Sequence, residues 1–156
     1  MLSTLRENAL FTNSKTSELF KKEIEYLGHI MFADGVRPDP KKVAMIVAWP
    51  VPADLTALRS FLGLAMFYRK YVWKYSHIAT PLTDMTQKNK FGEWIELQQA
   101  SFDKLKQAIA ECVTLKIVDL QKPYVVETDA SDIVVGAVLM QEGRPVAFES
   151  KKLNPA

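Results

Sequence analysis

The 156-residue chain has a single cysteine, Cys112, and only two histidines, His29 and His77. One cysteine excludes an internal disulfide framework, and three soft ligands in all are too few for a cysteine-rich zinc centre. A lone thiol fits a reducing compartment, so an intracellular location, cytoplasmic or nuclear, is the expectation. Long apolar runs are lacking too. The longest, Phe61–Tyr68 (FLGLAMFY), is far too short to cross a bilayer, and no membrane partner is expected. The opening MLSTLRENALF carries an acid early and lacks the apolar core of a signal peptide. Glycine-rich phosphate loops, HExxH, GxSxG and Ser/His/Asp patterns are also missing.

What remains is an ordinary globular composition, 48% apolar and 24% charged, long enough for one domain or two small ones. The net charge of +2 is small but unevenly spread. Residues 37–90 carry nine basic side chains against three acidic ones. A basic third of that size suits contact with a polyanion, and equally a solvated Lys/Arg surface.

The periodicity gives an α+β order. STLRENAL suits a short helix with Ser3 as N-cap. IEYLGHIMFADGVRPD suits a β-hairpin turning at Asp34-Gly35, where glycine would supply a positive φ. Asp39 and Pro40 then open a helix over about 40–49, with Val43, Ile46 and Val47 on one face. Asp54 can cap the next helix, LTALRSFLGLAMFYRKYV, with Leu55, Leu58, Leu62, Ala65 and Tyr68 as its buried stripe. A second stripe, Arg59, Gly63, Lys70 and Lys74, lies on another face; eleven residues make about three turns, so Arg59 and Lys70 share it. A glycine between cations permits close approach of a phosphate backbone, or else tight helix–helix packing. A short helix over about 76–87 follows. IELQQASFDKLKQAIAECV is amphipathic, with Phe102, Leu105, Ile109 and Cys112 inward, which makes Cys112 a packing residue. YVVETDAS, IVVGAVLMQ and RPVAFES then switch to a period of two and suit three successive strands, the last two joined at Glu142-Gly143.

Between the first two strands lies an acidic knot: Glu127, Asp129 and Asp132. Glu127 and Asp129 share a strand face, and Asp132 sits in the turn. Such a cluster can end a strand and cap a turn, or can help hold a hard cation; one stretch alone does not decide.

EYLGHIMFADGVRPDPKKV, LRSFLGLAMFYRKYV, IATPLTDM, FGEW and KPYVVETDASDIVVGAVLMQEGRPVAFESKKLNPA, in this order and spacing, resemble the polyprotein of gypsy-type LTR retrotransposons in its reverse transcriptase–RNase H region. The resemblance implies a palm end with a primer-grip hairpin over 1–39, a helical thumb over 40–112, and the antiparallel three-stranded start of an RNase H-like sheet over 113–156. Tyr26, Leu27, Gly28 and His29 would form the primer grip. Arg59, Gly63, Lys70 and Lys74 would lie on the thumb and meet an RNA–DNA hybrid or other duplex through shape and phosphate.

In the family, the aspartate of TDAS is a catalytic metal ligand, here Asp129, and two Mg²⁺ ions drive hydrolysis of the RNA strand. The family's other RNase H acids would follow the final NPA and its polymerase acids would precede Met1. Asp129 is then one carboxylate of an incomplete site that does not hold Mg²⁺ stably, and the isolated chain is expected neither to polymerise nor to cleave. The sheet is expected to leave an open edge at its third strand. Its apolar face, with Val125, Val134, Val138 and Phe148, would lack part of its cover, so the region after about 113 would pack on the thumb, meet the rest of a polyprotein or another protein, or be only marginally ordered. A stand-alone retroelement-derived protein acting through protein–protein contact is the alternative.

Overall fold

The computed structural model describes residues 2–13, 17, 20–88 and 90–153. A short helix, α1 (Leu2–Glu7), precedes an antiparallel sheet of β1 (Glu23–Tyr26), β2 (His29–Phe32) and β3 (Gly35–Pro38). Four helices follow: α2 (Pro40–Val47), α3 (Leu55–Phe67), α4 (Tyr75–Met85) and α5 (Glu96–Ala110). A second antiparallel sheet has β4 (Val125–Ala130), β5 (Val134–Gln141) and β6 (Arg144–Lys152) in chain order. The α+β reading and the three C-terminal strands agree with this architecture.

Two helix starts follow the sequence rules. The Asp39 carboxylate accepts from Lys41 N at 2.9 Å with Pro40 in the first helical position, and the Asp54 carboxylate accepts from Ala57 N at 2.7 Å. Ser3 differs: α1 already begins at Leu2, so Ser3 lies inside the helix.

The core is helical. Ile46, Leu58, Phe61, Ala65, Leu82, Phe102, Leu105 and Ile109 are shielded from solvent. Phe61, left out of the expected stripe, belongs to it: it stands three residues after Leu58 and four before Ala65, and its ring meets Phe102 at 4.6 Å and Trp49 at 6.2 Å. Val47, expected inward, is exposed. Ser101 Oγ donates to the Ile78 carbonyl at 2.6 Å and Lys106 Nζ to the Trp49 carbonyl at 2.5 Å, tying α5 to α4 and to the end of α2.

The first sheet has two hairpins where one was expected. Tyr26↔His29 closes the first around Leu27-Gly28, and Phe32↔Gly35 closes the second around Ala33-Asp34. Positive φ occurs at Leu27 (48°) and Gly28 (75°), and Gly35 does not share it. Gly35 is needed for closeness instead. A Cβ there would sit 2.5 Å from the Leu115 carbonyl oxygen.

That closeness is structural. Val36 N donates to Leu115 O at 2.8 Å and Leu115 N to Val36 O at 2.9 Å, so the segment after α5 pairs with β3. Lys116 N then donates to Pro145 O at 2.8 Å, on β6. Residues 115–116 therefore stitch the two sheets together. The buried Gln141 side chain holds the next loop: its Oε1 accepts from Asp119 N at 2.9 Å, and its Nε2 donates to Asp119 O at 2.8 Å and Lys122 O at 3.2 Å.

The second sheet packs on the helices through β6. Val134 and Val138 are buried and Phe148 packs against the helical core, whereas Val125 is exposed. The uncovered edge is β4, all six residues of which are exposed. β6 is covered by α4: Ser76 N donates to Ser150 Oγ at 2.8 Å and Ser76 Oγ to Ser150 O at 2.9 Å. The expectation of an open third strand is thus corrected, because the helical body occupies that side.

Candidate nucleic-acid interface

The residues of the basic stripe separate into three places. The reason is local: α3 ends at Phe67, a 3-10 turn spans Arg69–Tyr71, and Lys74 begins α4 in the left-handed region with φ 55°. Lys70 and Lys74 are therefore not on the helix that carries Arg59 and Gly63.

The first place is the turn Tyr26–His29. Its two positive-φ residues give the twist a two-residue hairpin requires, and Leu27 accepts this geometry at some strain. The Gly28 carbonyl accepts from Asp39 N at 3.0 Å and from the Tyr68 hydroxyl at 3.3 Å. The His29 ring stacks on Phe67 at 4.8 Å and 7°. Burial, and then the Lys70 charge, lower its pKa below 6.5, so the ring is neutral at neutral pH. Its Nδ1 lies 3.0 Å from the Tyr71 hydroxyl, which burial keeps protonated. In the Nε2–H tautomer, Tyr71 donates to Nδ1. These contacts fix the base of the turn and leave Tyr26 (59%) and Leu27 (70%) exposed at its tip. Lys70 Nζ lies 5.2 Å from the Tyr71 ring centroid, which places it with this turn.

The second place is an open groove of about 780 Å³ between α3 and α4. Arg59, Lys90 and Lys152 bring three cations to it against one acid, Asp84. Arg59 donates to the Thr86 carbonyl at 3.2 Å, at the C-terminus of α4, where a helix favours positive charge. Lys152 Nζ pairs with Asp84 at 2.6 Å. Gly63 lines the groove, and a Cβ added to it would meet nothing within 4 Å. Helix–helix packing, one of the two explanations open for Gly63, is thereby removed. Sequence reasoning missed Lys90 and Lys152 as partners of Arg59. They lie on a loop and on a strand, and no local periodicity links them to α3.

The third place joins Lys74 to Asp129. Lys74 Nζ is 2.5 Å from Asp129 Oδ2, and this hydrogen bond, with the lysine charge, holds the carboxyl below the usual carboxylate range. Among the described residues, no three of His, Cys, Asp and Glu come together as a metal-holding group. Glu127 shares a shallow cavity with Asp129 beside Trp73, and Asp132 joins neither. The residues present do not fit a divalent-metal centre: one carboxylate is committed to an ammonium group, and the other acids do not converge on it.

Residues 94–156 match the family model described as the RNase H-like domain found in reverse transcriptase. The chain is 41% identical over 138 residues to the retrovirus-related Pol polyprotein from transposon 297 of Drosophila melanogaster, covering 88% of this chain and 13% of that protein. It is 36% identical to the Pol polyprotein from transposon gypsy of the same organism, covering 99% of this chain and 16% of the relative. The chain thus spans under a fifth of these polyproteins. An uncharacterized mitochondrial protein of Arabidopsis thaliana is 36% identical, with 80% of each chain covered.

Among solved structures, a foamy viral protease–reverse transcriptase in complex with double-stranded DNA superposes with a TM-score of 0.82 at 24% identity, over 97% of this chain and 28% of that one. Another, in complex with an RNA/DNA hybrid, gives 0.77 at 25% identity over 90% and 20%. With this architecture and these matches, the chain is a homologue of part of the gypsy-type retrotransposon Pol polyproteins and carries the RNase H-like domain found in reverse transcriptase over residues 94–156.

Proposed function

We propose that this chain is a duplex-binding part of a retrotransposon reverse transcriptase/RNase H, holding template–primer without carrying out polymerisation or cleavage by itself. Residues 1–39 act as the palm end, 40–112 as the thumb and 113–156 as the RNase H-like part. Gly63 carries the reading. A glycine inside a helix destabilises it by about 1 kcal/mol relative to alanine, and no neighbour in this chain needs its missing side chain. It lies in a groove flanked by three cations. A phosphate backbone approaching the helix needs both features. Lys70 and the exposed tip of Tyr26–His29 offer a further contact for a strand end. The foamy viral relatives in complex with duplexes support the same ligand class.

The test is Gly63→Ala, with fluorescence anisotropy on an RNA–DNA hybrid. The variant is expected to unfold at higher denaturant and to bind more weakly. A variant that is more stable and binds equally well removes the groove from the interface. Arg59→Ala/Lys70→Ala is expected to flatten the salt dependence of binding.

A second reading, a stand-alone protein acting through the exposed β4 edge, is favoured by the Arabidopsis relative, most of whose length the chain covers. Salt-insensitive association with protein, unaffected by Arg59→Ala/Lys70→Ala, would support it.

A further inference from the structure

Three polar ties cross the seam between the helical body and the second sheet, beside the packing of Phe148. Arg69 pairs with Glu149 at 3.0 Å, Ser76 with Ser150 in both directions, and Asp84 with Lys152 at 2.6 Å. These contacts all end on β6. Lys74–Asp129 ends on β4, the outermost strand. Three observations show how the chain builds it. Lys74 adopts the left-handed conformation, unusual for a residue with a side chain, at the start of α4. Asp129 faces Gly136 across the ladder. A Cβ on Gly136 would sit 3.8 Å from Lys74 Cγ and 3.7 Å from Trp73 Cη2, so the lysine stem crosses β5 where that strand has no side chain. Trp73 beside it packs edge-on against Phe148 at 5.9 Å.

We infer that Asp129 is the strand-side half of a latch, with Lys74 lying where a divalent cation would have to sit, so that docking of β4 and metal binding at Asp129 exclude one another. The ammonium group satisfies the carboxylate charge without the further oxygen ligands that a hard cation demands. Opening the latch frees the carboxylate and loosens β4 in the same step. Both side chains are about half exposed, at 43% and 51%, so the ion pair is open to screening by salt and to competition.

The probe is Mn²⁺, read as paramagnetic broadening of backbone amide signals in the full chain. In the wild type, residues 127–131 are expected to broaden no more than the rest of the surface. In Lys74→Met they are expected to broaden selectively. Equal broadening in the two proteins, whether present or absent, overturns the exclusion. Hydrogen exchange supplies a reading that needs no lysine variant. Raising KCl to about one Debye length of 3 Å, near 1 M, is expected to accelerate β4 exchange several-fold in the wild type but hardly at all in Asp129→Asn, which starts fast. An equal response to salt in both overturns the latch. Neither readout involves nucleic acid, so the inference stands or fails apart from the duplex-binding proposal.

Discussion

Gly35→Ala is expected to be among the most damaging single-methyl changes in the chain. The added Cβ would lie 2.5 Å from the Leu115 carbonyl oxygen and 2.9 Å from Thr114 Cγ2, and the first of these is backbone. Residues 114–115 must move away, and the two hydrogen bonds between Val36 and Leu115 weaken or break. Each contributes about 1 kcal/mol net. Leu115 is only 1% exposed, and partly uncovering it forfeits some of the ~1.5–3 kcal/mol that full burial of such a side chain supplies. Alanine's smaller unfolded-state entropy returns only ~0.4–1 kcal/mol. The loss comes to about 2–4 kcal/mol, which in urea is a midpoint drop of roughly 1–2 M at an ordinary m-value. Gly92→Ala is the control, because a Cβ there meets nothing within 4 Å. Equilibrium urea unfolding followed by tryptophan fluorescence measures both. If Gly35→Ala unfolds at the same urea concentration as Gly92→Ala, residues 114–115 yield freely and the stitch is not a determinant of stability.

Other expectations concern the linker, the turn and the groove. Gln141→Ala leaves the Asp119 N–H and the Asp119 and Lys122 carbonyls without their partner, and should lower stability by about 2–3 kcal/mol in the same urea assay; a loss below 0.5 kcal/mol, about the scatter of surface changes, would mean the loop finds other partners. His29 should titrate below 6.5 by NMR, and Lys70→Ala should move its midpoint upward, because part of the depression is the lysine charge. Since the folded form disfavours the imidazolium, this group's contribution to stability is present above pH 6.5 and is lost as pH falls through the lower folded value. A wild-type midpoint at or above 6.5 contradicts the burial of the ring. Glu142, held to about 2 by hydrogen bonds from Lys116 and then Lys122, should keep its ion pairs well below pH 4.5 and lose them only as pH approaches 2, observable by carboxyl ¹³C shifts. In the groove, Arg59→Ala/Lys90→Ala/Lys152→Ala should flatten the log–log salt slope of hybrid binding by about 0.9 for each phosphate contact removed; an unchanged slope would place the duplex elsewhere.

The elements were legible wherever the signal was local. Asp39 and Asp54 announced their helices because a cap is read within three residues, and the change from period 3.6 to period 2 announced the strands. The stripe failed because the end of α3 at Phe67 carries no glycine or proline. RKY continues in a 3-10 turn, and Lys74 enters the left-handed region without a residue type that advertises it. Leu27 hid the first hairpin in the same way. The partners that complete the groove and the latch were invisible for another reason. Lys152 reaches Asp84 across 68 residues and Lys74 reaches Asp129 from the start of α4 to the second sheet, and such pairings are set by how the sheet docks on the helices. The TDAS motif pointed to Asp129 as a metal ligand, whereas its partner in the structure is an ammonium group that no motif names.

The stitch at residues 115–116 also governs the order of assembly. β3 precedes the helices in the chain, yet its outer edge is completed by Leu115, and Asp34 receives Arg144 from 110 residues away. Loop closures of that span are slow to form and gain nothing until the intervening chain is compact. A chain emerging from the ribosome can therefore pack α2 to α5 early while the first sheet waits with an unpaired edge. Closure of the second sheet then seals the first, so strands later in the chain finish the fold of some of the earlier ones.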